Sequence, residues 1–333
     1  MIARLIASLI AAGALLLTGP LPAQGRNVPT PNPLVRRAPR PSPAADPQVR
    51  DARVRDTTPR TAVIAAFEPE WTVLKGEMEG VAETEINGVR FLTGRLAGKP
   101  VLLFLSGVSM VNAAMTTQLA LDRFTVSRIV FTGIAGGIDP ALDVGDVVVP
   151  DQWAQYLEST FARASGAGFA PPEGDYTIPG IASYGMMHPR RVTVRRAGNP
   201  AGERKLWFEA DPGLLETARK AAATVALRRC VADLCLVKPP RVVVGGRGIS
   251  GPVFMDNAEY RKYAFAQFKA QVLDMETAAV AQVAYANGVP FVGFRSLSDL
   301  AGGDPQENQM FVFFRVAAAN SAALVTAFLK ALP

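Results

Sequence analysis

From residue 61 onward the chain alternates between two patterns. Short apolar runs at residues 61–67 (TAVIAAF), 89–96, 100–106, 128–131, 241–246 and 289–294 have the length and β-branched content of strands. Between them lie stretches with apolar residues at helical spacing. Residues 212–226 form one, with Asp211 as its cap; another begins near Asn257, and a last one closes the chain over 309–332. The runs at 89–96 and 100–106 read as a hairpin turning at Ala97-Gly98. Strands alternating with helices predict an α/β chain: three layers, α/β/α, around a twisted mixed sheet.

Residues 271–304 carry the densest version of this pattern. Val272-Leu273 open a short apolar run that ends at Glu276. Residues 277–287 are Ala-rich at helical spacing, and Gly288 is a helix stop. The run at 289–294 follows, then Ser298-Asp299. A strand, helix and strand of this length predict a parallel pair. Ligands of open α/β sheets sit beyond the carboxyl ends of such strands, so Glu276 and Asp299 are expected close together there. The plainer alternative makes Glu276 a helix-start acid suited to the dipole, and Asp299 a loop cap.

The segments DMETAAVAQVA and PFVGFRSLSD resemble the purine nucleoside phosphorylase and nucleosidase superfamily, most closely the methylthioadenosine/S-adenosylhomocysteine nucleosidases. The resemblance implies a nucleoside phosphorylase-like fold and hydrolysis of the N-glycosidic bond of adenine nucleosides. It implies that Met275 packs on the sugar, Glu276 holds its hydroxyls, and Asp299, oriented by Ser298, protonates the base. Phe254 matches the purine-stacking Phe, and Met255 follows where backbone reads the base edge. TGIAGG at 132–137, followed by Asp143-Val144-Gly145-Asp146, resembles the family's signature loop, with Ala135 and Gly136 at the ligand. Glycines in such a loop let backbone approach closely or take positive φ. In FEPEW, expected as the loop after the first strand, Glu70 aligns with the water-activating glutamate, and Glu68 is the weaker candidate. Ser106 and Phe311 are further pocket candidates, Phe311 walling the space for the 5′ substituent.

Two departures favour water over phosphate as nucleophile. The turn after the strand at 100–106 has no Arg or Lys, which phosphate sites usually add, and 67–70 reads Phe-Glu-Pro-Glu where phosphorylases carry a Gly-Asp-Pro-type turn. The alternatives are a phosphate-dependent phosphorylase and a non-catalytic nucleoside-binding or storage protein. VNAAMTTQL, the paired Cys, VFMDNAEYR and RSLSDLAGG also resemble the secreted bark and vegetative storage proteins of plants.

Charge changes the picture little. Residues 1–60 hold nine Arg and three Asp, equal to the net +6 of the whole chain, so 61–333 is neutral. No nucleic-acid surface is expected on the folded part. Residues 1–24 have the charge, apolar run and small-residue end of a secretory signal peptide. Residues 25–60, rich in Pro and Arg, read as an extended linker, and 61–333 as one domain. No other segment is read as a bilayer span, so no stable membrane insertion is expected after signal removal. The expected location is periplasmic or secreted. There a Cys230–Cys235 disulfide is the preferred reading over a metal site. Residues 152–202, rich in Gly, Pro and Arg, read as an excursion from the fold. His188 within it reads as a surface residue, and Trp153, Tyr156 and Trp207 as packing anchors. No metal cluster or cofactor fingerprint is present, so no cofactor is expected. The resemblance implies a homodimer or higher homo-oligomer with a neighbour contributing to the pocket.

Overall fold

The computed structural model describes residues 56–333 except 67, 175, 305 and 306. The expected signal peptide, and the expected linker up to residue 55, lie outside the described residues.

The chain opens with β1 (Asp56–Ala65), α1 (Glu68–Gly76) and three strands in sequence, β2 (Glu79–Ile86), β3 (Val89–Leu96) and β4 (Lys99–Leu105). Then come α2 (Met110–Arg123), the long β5 (Phe124–Gly137), β6 (Val147–Val149) and β7 (Gln152–Gln155). Short hairpin strands follow: β8 (Ser159–Phe161), β9 (Arg163–Ser165), β10 (Gly168–Ala170), β11 (Met187–Pro189), β12 (Val192–Arg196) and β13 (Asn199–Lys205). The next elements are β14 (Trp207–Glu209), α3 (Pro212–Ala222), the small hairpin β15 (Cys230–Val231) and β16 (Leu234–Cys235), β17 (Val242–Val244), β18 (Arg247–Ser250) and α4 (Ala258–Phe268). The chain closes with β19 (Ala270–Asp274), α5 (Thr277–Asn287), β20 (Phe291–Asp299) and α6 (Met310–Ala331).

Twelve strands form one mixed sheet, which forks at the end of β5. On one side β5 pairs in parallel with β1, which leads to β4, β3 and β2. On the other side it pairs in parallel with β20, and its last residues pair antiparallel with β19. One arm runs β20–β6–β17, the other β19–β18–β7–β14. The expected parallel pairing of β19 with β20 is therefore corrected: each pairs with β5 instead.

The layers are those the pattern predicts. α2 and α5 cover one face through Ala113, Ala120 and the Ala-rich Ala278–Ala284 stripe. α1, α3 and α6 cover the other through Trp71, Leu74, Leu215, Leu324 and Phe328. Small Ala side chains let α5 lie close to the strands. Asp211 caps α3 by accepting from the Leu214 N–H, Asn257 caps α4 by accepting from Tyr260, and Gly288 ends α5 at φ 67°.

Several expectations change. β1 begins at Asp56, ahead of Thr61. Residues 132–137, expected as a loop, complete β5, and none of Gly133, Gly136 or Gly137 has a positive φ. Gln152–Gln155, placed in the excursion, is a sheet strand whose Trp153 and Ala154 are fully buried. Arg247–Ser250, beyond the strand expected at 241–246, is a strand between β7 and β19. By length and hydropathy α6 is a helix able to cross a membrane, against the expectation that no later segment is; it packs in the core instead. Trp153 and Tyr156 are core anchors, as expected, and Trp207 is half-buried beneath Arg247. His188 is half-buried and pairs with Thr160 where β11 lies antiparallel to β8.

Candidate active site

Six chain segments end at one cavity of about 220 Å³. Ala66 follows β1, Val108 follows β4, Ile134 to Gly136 close β5, Val253 to Met255 follow β18, Asp274 to Glu276 close β19, and Ser298-Asp299 close β20. All are carboxyl ends of strands, where an α/β sheet presents its ligand site. Met310 at the start of α6 completes the wall.

Glu70 lies in the first turn of α1, not in a loop, and is only 2% exposed. Ala66 N–H donates to its Oε2 at 2.9 Å and Ile134 N–H to its Oε1 at 2.8 Å. Two backbone donors from different strands fix the carboxylate and leave it acceptor capacity for a water. Glu68, two residues earlier, is exposed and faces Arg90.

Glu276 is held by the Ser109 N–H, 2.8 Å from its Oε1. Ser109 reaches it with φ 81° and ψ 157°, a conformation natural only to glycine. Burial, then the charge of Asp274, push the Glu276 carboxyl up to about 7; Arg295 and the Ser109 N–H pull the other way.

Sequence reasoning left Asp274 and Arg295 without roles. Both are buried. Arg295 Nε lies 2.7 Å from Asp274 Oδ2 and 2.9 Å from Thr277 Oγ1, and its guanidinium stacks 4.3 Å from the Phe131 ring centre. Its Nη1 donates to Ile134 O, and its Nη2 is 3.9 Å from Glu276 Oε2. Asp274 also accepts from the Ser250 and Thr277 hydroxyls. An Arg directly after the apolar run at 289–294 was the signal that could have found this pair.

The glycines of β5 serve close approach. A Cβ on Gly133 would lie 2.2 Å from Arg295 Nη1 and 2.7 Å from Glu70 Oε1; one on Gly136 would lie 3.1 Å from Asp299 Oδ1. Bare backbone at these two positions lets three functional side chains crowd against β5.

Asp299 accepts from Ala301 N–H on Oδ1 and from Ser298 Oγ on Oδ2, both at 2.8 Å. Burial raises its pKa above the ordinary aspartate value, and these hydrogen bonds oppose that. A raised carboxyl beside an apolar cavity is suited to giving up a proton.

Phe254, 53% exposed, and Met255 line the cavity opposite, with Met275, Ala135, Gly136 and Ser298. Two sequence candidates lie elsewhere. Ser106 is buried with its hydroxyl on Gly107 O and faces a separate hollow beside Trp71. Phe311 is 78% exposed outside the cavity, because the first turn of α6 turns Met310 inward in its place. Cys230 and Cys235 are disulfide-bonded across the β15–β16 hairpin, between α3 and β17.

The model of the phosphorylase superfamily matches residues 60–330. The 5′-methylthioadenosine/S-adenosylhomocysteine nucleosidase of Geobacillus kaustophilus (strain HTA426) is 34% identical over 272 residues, 81% of this chain and 97% of the relative. Among solved structures, the corresponding nucleosidase of Neisseria meningitidis, in complex with methylthio-immucillin-A, superposes with a TM-score of 0.61 at 28% identity. That match covers 83% of this chain and 100% of the other. The nucleosidase of Colwellia psychrerythraea 34H, in complex with adenine, gives a TM-score of 0.61 at 28% identity over 82% of this chain and 95% of its own. The chain belongs to the phosphorylase superfamily.

Proposed function

We propose that this protein hydrolyses the N-glycosidic bond of adenine nucleosides of the 5′-methylthioadenosine and S-adenosylhomocysteine type, releasing adenine. The observation that carries this is the convergence of Glu70, Glu276 and Asp299 on one apolar cavity, each held by backbone hydrogen bonds. The base lies against Phe254 and Met255, as stacking suits a flat, uncharged purine. Asp299 delivers a proton to N7 as the bond from C1′ to N9 breaks. Glu276 accepts from the ribose hydroxyls as the sugar gains positive charge. Glu70 holds a water, which bonds to C1′ and loses its proton to Glu70. Buried carboxylates divide acid and base work in the same way in glycosidases.

Water is favoured over phosphate by the charges on the wall. Among the described residues Arg295 is the one Lys or Arg in the cavity lining, and it is paired with Asp274. The test is base release from methylthioadenosine, S-adenosylhomocysteine and adenosine in phosphate-free buffer. Free adenine and free sugar are expected; a phosphate requirement with ribose 1-phosphate as product would make it a phosphorylase.

Two settings complete the proposal. Val108, Val111, Met115, Phe254, Phe311 and Val312 leave an exposed apolar collar, with Val108 and Phe254 on the cavity wall itself. A second copy of the chain covers such a collar in a homodimer, so sedimentation should give twice the chain mass. The signal-like residues 1–24 and the Cys230–Cys235 disulfide support export to an oxidising compartment. Cell fractionation should find the protein outside the cytoplasm.

A further inference from the structure

Three walls of the cavity meet at one side chain that the scheme above does not use. Asn308 stands just before α6. Its Oδ1 accepts from the Met310 N–H at 2.9 Å. Its Nδ2 donates to Asp256 Oδ1 at 3.2 Å and to Asp299 Oδ1 at 3.4 Å. Chemistry fixes which way the amide faces: a backbone N–H only donates and ionised carboxylates only accept. Each tie reaches a different wall. Met310 lines the cavity from α6, Asp256 directly follows Phe254 and Met255, and Asp299 is the proton donor.

We propose that Asn308 is a positioning residue for the hydrolytic step, clamping the Asp299 carboxyl to the base-stacking loop and to the start of α6. The proposal rests on the nucleosidase reading. The other two donors to Asp299, Ser298 and Ala301, belong to its own strand end. They move with it, and Asn308 is the tie that refers the acid to the base. It also sorts the two oxygens. Oδ1 accepts both Ala301 N–H and Asn308 Nδ2, which leaves Oδ2, beside Ser298, to carry the proton.

The charged surroundings of Asp299 set the direction of the expected change. Asp304 on its own loop raises its pKa, after burial, while the Asn308 hydrogen bond lowers it. Asp256 lies on the other arm of Asn308, Arg261 of α4 offsets Asp304, and Glu70 and Glu276 share the cavity. Removing a donor from the ionised form raises the pKa further.

The test compares Asn308→Ala, Asn308→Ser and Asp256→Ala with wild type. Asn308→Ser keeps an uncharged acceptor for the Met310 N–H on a side chain too short to reach Asp299, so it decides the question if the alanine variant fails to fold. The Asp299 carboxyl is titrated without substrate, by infrared difference against the matching Asp299→Asn proteins. In both Asn308 variants it should titrate higher by roughly one pH unit. The alkaline limb of kcat should move the same way, and kcat at the wild-type optimum should fall about tenfold. Asp256→Ala removes the tie to the base-stacking loop and keeps the tie to Asp299, so the Asp299 titration should stay in place while KM rises. An Asp299 titration unchanged in both Asn308 variants, with kcat unchanged, overturns the proposal. Absence of adenine release by wild type would overturn the nucleosidase reading instead, and the substrate-free titration would still decide the Asn308 clamp.

Discussion

Arg295 Nε lies 2.7 Å from Asp274 Oδ2, with both side chains almost completely buried, while Arg295 Nη2 stands 3.9 Å from Glu276 Oε2. One cation thus serves two buried acids unequally. Asp274 takes the close contact and four further donors, the Ser250 and Thr277 hydroxyls and the Glu276 and Thr277 N–H groups, and Glu276 receives what remains. Burial, then the charge of Asp274, raises the Glu276 pKa, and Arg295 at this distance offsets them only in part.

Breaking this group should therefore be costly. Arg295→Met should destabilise the fold by roughly 3–5 kcal/mol, since it leaves Asp274 buried without its partner. Urea unfolding of the two proteins checks this; a loss under about 1 kcal/mol would mean the pair contributes no more than a surface bridge.

Glu276 gives a pH signature. Its folded-state pKa of about 7 lies above the ordinary value of 4.5. The stability linked to its protonation is thus fully present below pH 4.5 and is lost as pH rises through 7. Relative to Glu276→Gln, wild type should lose roughly 1–3 kcal/mol between pH 4.5 and 8. Melting curves of both proteins across that range test the sign, and parallel curves would contradict it.

The interleaved strands and helices were legible because residues 277–287, the cap Asp211 and the stop Gly288 carry local signals that packing did not override. Carboxylates at strand ends could likewise be placed at one sheet end, and Glu276 and Asp299 do line one cavity although β19 and β20 do not pair. What failed was long-range. Nothing local in residues 132–137 says that glycines continue a strand, since their reason is the later arrival of Arg295, Glu70 and Asp299. The four-residue strand at Arg247–Ser250 is too short to show a period. Whether Met310 or Phe311 faces inward depends on the rotation of α6, and Ser106 points away from the cavity because the chain turns sharply at Gly107, φ 75°.

Ser109 holds backbone strain beside the ribose carboxylate. Ser109→Gly should stabilise the protein by about 1 kcal/mol, relief of strain exceeding the added flexibility of the unfolded chain. Base release should fall by less than about threefold, because the N–H that holds Glu276 remains. Thermal melting beside kinetics reads both; a destabilised glycine variant would mean that the strain is absent.

The Cys230–Cys235 bridge closes a short loop. Thiol titration of denatured, unreduced protein should find no free cysteine. Replacing both with Ser should cost about 2 kcal/mol, as expected from the chain entropy of so small a loop. Leu236, next to Cys235, packs against Gly145, so a loss in the double variant should appear as earlier fraying of this hairpin in hydrogen exchange.

The division of labour among the three carboxylates is tested most directly by single-turnover adenine release from methylthioadenosine, measured beside calorimetric binding, for wild type, Asp299→Asn and Glu70→Gln. Both variants should bind the nucleoside nearly as wild type does and release adenine about 10²–10⁴-fold more slowly, the usual worth of a positioned acid or base. A wild type that binds adenine nucleosides but releases base no faster than Asp299→Asn would contradict the catalytic reading and leave a binding or storage role.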